Sequence, residues 1–467
     1  MMKRLGKPVA IIFALVILVF SVLSVFGYSY YTGDIKHTVF KGFGSLDWGI
    51  DASGGTKIAL KPASSEDAQA VADVIRERAA VYGLKEYQLY VDNNNNDVVF
   101  VVPKSVDSDY SSSDVASYLT CFGEVSVRPG DSYTNMFVDS SGAAAFSVPK
   151  DDTAKTVLLG SRHIRSAGTF EYSDESGNYH YVEIKFNDEG KDILAQLTNA
   201  DTGTYYNQVM SIWLDDAMLA NPTVSESFEQ GAFSFSSEHM TADKAKLLSA
   251  VISSGTMPCD VSVAGFGEIP PVVGPGVTEV VFWAGIVALL VLSFTLIYKF
   301  RAVGVVSVLA LIMQFSSVLA ILTGFVGEGR TFMMTIPAAS AFALCVMLTV
   351  LSCTLFARKI KSEVESGTMI DAAVASGFNY ARPRMFDLSI VTALISLSGL
   401  FIFGASGFAV SLFGTSMASG IRSFCYVLFF GSILNVVTGY LLPQLIIRSL
   451  ESFKSISKPS MFGGAKK

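Results

Sequence analysis

Residues 280–298 read VVFWAGIVALLVLSFTLIY, an uncharged run closed at once by Lys299 and Arg301. A helix that crosses a bilayer needs about 20 apolar residues, and this run supplies them. Residues 10–28, AIIFALVILVFSVLSVFGY, make a second such run at the N-terminus. Four more follow residue 298: Ala302–Val326, Thr331–Ala357, Leu388–Phe403 and Ser423–Ile447. One apolar segment therefore stands alone, residues 29–276 of mixed polarity intervene, and five further segments crowd together. That layout belongs to transporters and translocation machines rather than to soluble enzymes.

Composition agrees: 51% of the chain is hydrophobic and 16% charged, with a net charge of −7. The charges gather in the middle region and the short loops. No basic stripe with interleaved aromatics is present, so nothing points to nucleic acid.

Lysine and arginine set the orientation, because cytoplasmic loops carry their excess. Lys3, Arg4 and Lys7 precede the first segment, and Lys299 and Arg301 join the second to the third. Arg358, Lys359, Lys361, Arg382 and Arg384 fill the fourth-to-fifth connection, and Arg448, Lys454, Lys458, Lys466 and Lys467 the tail. The alternate loops hold little more than Arg330 and Arg422. Six crossings then predict both termini in the cytoplasm and residues 29–276 outside. The first segment has a basic start and no small-residue cleavage site, and reads as an uncleaved anchor.

The exported stretch predicts small α+β modules. Leu46–Leu60 reads as a strand, Ser64–Asp67 as a helix start, and Val71, Val74, Ile75 and Tyr82 as the buried face of a helix stopped by Gly83. Tyr87–Val91 and Val98–Val102 read as strands joined by the Asn-rich turn Asp92–Asp97. A helix over Ser112–Leu119 and a strand over Glu124–Arg128 complete β-α-β-β-α-β, a ferredoxin-like plan. Further on come Tyr181–Phe186, Met210–Leu214 and Phe233–Phe235 as strands, Glu189–Thr198 as a helix, and a helix capped by Thr241. Gly265–Gly276 reads as the linker back to the membrane. The division is 1–29 (tip and first helix), 30–130 (base lobe), 131–240 (second or head lobe), 241–276 (closing helix, strand and linker), 277–447 (five-helix bundle) and 448–467 (tail).

No catalytic or cofactor chemistry is legible. His37, His163, His180 and His239 lack metal-ligand spacing, and no nucleophile elbow, P-loop or dinucleotide fingerprint occurs. Asp215-Asp216 reads as a solvated strand end. Cys121 and Cys259 fall on the exported side, either as two free thiols or as a disulfide.

The motif Trp48-Gly49-Ile50-Asp51-Ala52-Ser53-Gly54-Gly55 resembles the GxDxxGG signature of the SecD family, accessory subunits of the bacterial Sec export machinery. Ser211–Asp216 with Pro222-Thr-Val, the helix from Thr241 with Ile252, Gly255 and Pro258, and Thr335-Ile-Pro337 are similar to later family segments. Asp371, Ser376-Gly-Phe378, Ala381 and Asp387 follow in the family's order. The resemblance implies membership of the RND superfamily, a SecF-type partner, a SecY-type channel, and an exported domain that grips unfolded polypeptide in transit. It also implies proton coupling through an intramembrane acid.

One departure matters. Where the family carries Asp-x-Asn in the fourth helix, this chain has Leu351-Ser352-Cys353, and no acid or amide occurs from Thr335 to Ala357. Asp387 and Thr392 remain in the fifth helix as proton-relay candidates, with Ser389 in place of the expected Asn. Asp387 equally suits a structural role near a helix start. Ala338–Ala341 and Gly404, Gly407, Gly414 and Gly420 let helices approach closely, within this bundle or against a second subunit. The reading is an export accessory subunit with no enzymatic activity. Its rivals are an RND-type half-transporter for a small lipid or drug and a non-transducing scaffold.

Overall fold

The computed structural model describes residues 7–462 apart from 33–34, 85, 93–94, 105–109, 131–134, 139–143, 148–155, 175–176, 237–239, 275, 326–331, 404–406 and 451–458. Arg330, His239, Gly404 and the basic residues at 3–4, 454, 458 and 466–467 lie outside the described residues. Two compact units form: residues 1–53 with 271–467, and residues 54–270.

The first unit opens with the apolar helix α1 (Lys7–Phe26) and the hairpin β1 (Tyr28–Thr32) and β2 (Ile35–Phe40). The strand predicted over Leu46–Leu60 is broken into three pieces: β3 (Asp47–Trp48), the one-turn helix α2 (Ile50–Ser53) and β4 (Gly55–Pro62), which begins the second unit. The break is local chemistry. The amides of Ala52 and Ser53 donate to the Gly49 carbonyl, and Ser53 Oγ donates to the carbonyls of Trp48 and Gly49. Gly54 then sits at φ +73°, where a side chain is strained. At Gly55 a Cβ would lie 2.2 Å from the Val102 carbonyl oxygen, so the two motif glycines admit a turn and a close strand approach.

In the second unit α3 (Ala68–Tyr82) buries Val71, Ala72, Ile75 and Ala79 at helical spacing and ends at Gly83 in the left-handed region (φ +85°). β5 (Gln88–Val91) and β6 (Val98–Pro103) form the predicted antiparallel pair, Val91 opposite Val98. After α4 (Ser112–Thr120) the expectation fails: β7 (Val125–Pro129) does not complete this sheet. It pairs instead with β10 (Leu159–Gly160) and β13 (Met210–Leu214), in a second sheet that continues through β14 (Ala217–Ala220), β9 (Ala144–Ser147) and β8 (Asn135–Val138). A third sheet orders β11 (Ile164–Asp174), β12 (Gly177–Phe186) and β15 (Ala232–Phe235), with α5 (Asp188–Thr198) between the last two in sequence. The ferredoxin-like sheet is closed by β16 (Val261–Ile269), giving the order β16-β4-β6-β5. Residues 265–269 are therefore strand, not linker.

α6 (Ala242–Ser254), capped by Thr241, serves two cores. Leu247 and Ala250 pack with Ile75, Phe100 and Leu119, whereas Leu248, Val251 and Ile252 pack with Val127, Ile184 and Ile212.

The chain re-enters the first unit through α7 (Val277–Phe300) and α8 (Ala302–Thr323). β17 (Met333–Met334) pairs in parallel with β3 and leads into α9 (Ile336–Glu365). α10 (Ile370–Phe403), α11 (Gly407–Val436), a π-helical turn at Val437–Leu441 and α12 (Leu442–Leu450) follow. Among the described residues five helices are long and apolar enough to cross a membrane: α7, α8, α9, α10 and the stretch Gly420–Leu450. α10 starts earlier than its apolar run, because Ala373, Val374, Gly377, Phe378, Ala381 and Met385 bury one helical face among the charges of residues 371–387. Gly399 and Gly431 face Cys425 and Cys345 so closely that a Cβ would lie 2.4 and 2.1 Å from the sulfur. Small residues here pack helices of this chain against one another.

Candidate functional site

Around Leu351–Cys353 of α9, where the resemblance to SecD leads one to expect a relay, lies a neutral hydrogen-bond network. Asn435 on α11 donates from Nδ2 to Ser352 Oγ (3.1 Å) on α9 and Ser389 Oγ (3.0 Å) on α10. Its Oδ1 accepts from Thr349 Oγ1 at 2.9 Å. Thr349, Ser352 and Asn435 have no exposed surface. One turn beyond, Thr438 bonds Gln314 of α8, whose Nε2 donates to the Gly431 carbonyl (2.9 Å). In hydrocarbon an amide is tolerated when every polar atom finds a partner, and this one ties three helices. Hydroxyls and carboxamides neither ionise nor take up protons in the physiological range, so the cluster can position helices but cannot carry charge by itself. The π-helical turn begins two residues after Asn435, an irregularity frequent beside functional positions.

Sequence alone missed Asn435. Its signal was available: it is the one amide between Ser423 and Leu442 in an otherwise apolar run.

Asp387 and Thr392 are not brought into this network. Asp387 lies on the exposed face of α10, two residues before buried Ser389 and so on the opposite side of the helix. Thr392 is half-buried and donates its hydroxyl to the Leu388 carbonyl (2.8 Å).

Asp51, Gly54, Gly55 and Pro337 do converge in part. Asp51 Oδ2 accepts the Ile336 amide at 2.6 Å, 285 positions away, at the start of α9. Thr335 caps the same helix by accepting the Ala338 amide (3.2 Å), and Pro337 occupies its first turn, where a missing N–H costs nothing. The Gly49 amide donates to the Met334 carbonyl (3.0 Å). Asp51 Oδ1 is buried and makes no hydrogen bond. Burial raises the Asp51 carboxyl above its ordinary value, opposed by the Ile336 amide and more weakly by the amides of Ala52 and Asp51.

A second cluster lies in the second unit. Arg78 on α3 has no exposed surface. It donates to the carbonyls of Cys121 (2.6 Å), Leu119 (3.2 Å), Phe122 (3.2 Å) and Gly255 (2.7 Å) and to Ser254 Oγ (3.1 Å). One guanidinium thus caps the C-terminal ends of both α4 and α6, where carbonyls lack helical partners. Asp215 is more than a solvated strand end: in the left-handed region (φ +51°), its carboxylate accepts the amides of Gly123 (3.1 Å) and Glu124 (2.7 Å). Cys121 and Cys259 are free thiols. Among the described residues no three His, Cys, Asp or Glu gather as a metal site.

Comparison with known proteins follows the same lines. The family described as SecDF, P1 head subdomain matches residues 147–259. Protein translocase subunit SecD of Dictyoglomus turgidum is 26% identical over 415 residues, covering 88% of this chain and 92% of that protein. The protein of the same name from Leptotrichia buccalis is 22% identical over 424 residues, covering 90% and 92%. The chain is thus similar to SecD subunits along almost its whole length. Its fold is similar to that of a solved SecDF in super-membrane-facing form, with a TM-score of 0.56 at 17% identity over 95% of this chain. SecDF of Thermus thermophilus, described as a translocon-associated membrane protein, gives 0.51 at 18% identity. The chain spans 57% and 59% of those two SecDF chains, which are longer.

Proposed function

We propose that this membrane protein is a SecD-family accessory subunit of Sec-dependent protein export, with no enzymatic activity of its own. The observation that carries the reading is similarity along almost the whole chain, 88% of it against 92% of a protein translocase subunit. It sits in the bacterial inner membrane with both termini cytoplasmic and residues 29–276 outside. The exported region works as a base lobe (30–130) and a head lobe (131–240), closed by residues 241–276, and engages unfolded polypeptide as it emerges. A SecF-type subunit and a SecY-type channel are its partners.

Proton coupling, in this reading, draws its second acid from the SecF-type partner. The buried network around Asn435 is neutral, while Asp387 faces outward from α10, where a partner helix can meet it. A non-transducing scaffold at the channel is the second reading, favoured by the same neutrality.

The test is a pull-down of the tagged chain from native membranes in mild detergent, with co-purifying proteins identified by mass spectrometry. Recovery of a SecF-type subunit or the channel supports export; self-association without either overturns it. Export measured in an Asp387→Asn strain then separates the two readings. Loss of proton-driven stimulation supports coupling, and unchanged export supports the scaffold.

A further inference from the structure

Asp51 stands at a junction within the first unit. The chain leaves this unit after Ser53 and re-enters it at Pro271. Asp51 joins both crossings to α9: its backbone carbonyl accepts the Val273 amide (3.4 Å), and its carboxylate accepts the Ile336 amide. The parallel pairing of β3 with β17 and the packing of Trp48 and Ala52 against Met334, Ala338 and Val427 complete the mouth of the bundle.

The carboxylate is poorly matched to that place. Oδ1 is buried without a hydrogen-bond partner, Oδ2 accepts the Ile336 amide, and this amide with those of Ala52 and Asp51 offsets burial only in part. The charged side chains nearest in sequence to this core are Lys41 and Asp47 before α2, Glu279 at the start of α7, Arg422 on α11, and Glu328 and Arg330 before β17, the last two outside the described residues. Within the same core α8, β17 and the first turns of α9 carry none, and among the described residues no charged side chain is seen hydrogen-bonded to Asp51. An ionised acid in such a site carries an uncompensated desolvation cost, which either a proton or water relieves.

We propose that Asp51 is a proton-operated latch on the outer end of α9: with a proton bound the mouth stays closed as in this structure, and loss of the proton favours an opened mouth in which water reaches the carboxylate. The sign follows from linkage. A conformation that buries the unpaired carboxylate binds its proton more tightly than one that hydrates it, so proton uptake draws the population towards the closed form. The proton exchanges between the carboxyl oxygen and solvent, and the neutral carboxyl still accepts the Ile336 amide through its carbonyl oxygen. Because Asp51 also holds Val273, opening loosens both crossings between the units together.

Hydrogen exchange of the full chain in lipid nanodiscs tests this, read by mass spectrometry on the peptide covering residues 332–345 and corrected for the intrinsic pH dependence of exchange. Protection of the first turn of α9 is expected to be highest at pH 4 and to fall as the pH rises through the raised pKa of Asp51 towards pH 8, tenfold for each unit by which the closed form raises proton affinity. Asp51→Asn, which cannot ionise, is expected to stay protected at pH 8. Asp47→Asn and Glu279→Gln are expected to keep the wild-type profile. A flat wild-type profile overturns the latch even if no variant folds, as does an Asp51→Asn profile that still follows pH, or one abolished by Asp47→Asn instead. Export is not read, so the outcome is independent of the proposed function.

Discussion

Arg78 holds a full charge out of water and makes it useful by giving every N–H a carbonyl or hydroxyl. Burial pulls its pKa down, and Cys121 and Asp215 push it back up. Arg78→Met is expected to leave the carbonyls of Leu119, Cys121, Phe122 and Gly255 unpaired at about 2–4 kcal/mol, measured by urea unfolding followed through Trp213. Arg78→Lys is expected to recover less than half of that, because an ammonium cannot reproduce the planar fork. The neighbouring thiol gives a pH-dependent check. Burial pushes Cys121 up to about 12 against the attraction of Arg78, so its reactive thiolate stays negligible through pH 9. Iodoacetamide at pH 8 is expected to modify Cys121 in unfolded chain and to leave it unmodified in folded protein.

Among elements, α11 is the one whose role turns on a single side chain. Asn435→Leu removes the amide that ties α9, α10 and α11. The hydroxyls can fall back on their own helices, as Thr349 does with the Cys345 carbonyl at 3.3 Å. The cost is therefore expected near 1 kcal/mol, seen as a lowered thermal midpoint in detergent. Gly431→Leu, which drives a side chain into Cys345, is expected to cost more, about 1–3 kcal/mol.

The contrast shows what sequence carries. Apolar runs announced the membrane helices, and the cap at Thr241 and the stop at Gly83 announced where helices begin and end, because those signals are local. The strand predicted over Leu46–Leu60 fails because alternation is blind to side-chain bonds such as Ser53 to Trp48. β7 was assigned to the wrong sheet because strand pairing is a long-range choice. Asp51 was legible as a motif, but its partner Ile336 lies 285 positions away and only the fold supplies it.

At the scale of the molecule, the two units have separate cores, and residues 54–270 hold two hydrophobic clusters of their own. A fragment of residues 54–270 is expected to unfold cooperatively in urea. One ending at residue 258 is expected to lose cooperativity, since it lacks β16 and leaves β4 as an open edge. Circular dichroism and a denaturant titration distinguish the two. Asp387→Asn is expected to change the stability of the whole chain by less than about 0.5 kcal/mol, as surface substitutions do.

β4 lies against β16 with Lys61 and Ser262 in contact 201 positions apart. Synthesis proceeds from the N-terminus, so β4 exists long before its neighbour. Closing so long a loop is slow; until residue 254 is made the sheet's apolar face lacks the Leu247 side of α6, and until residue 269 is made the sheet itself lacks a strand. Throughout its own biogenesis this protein is thus an unfinished passenger, dependent on being held and shielded in the way it is proposed to hold and shield others.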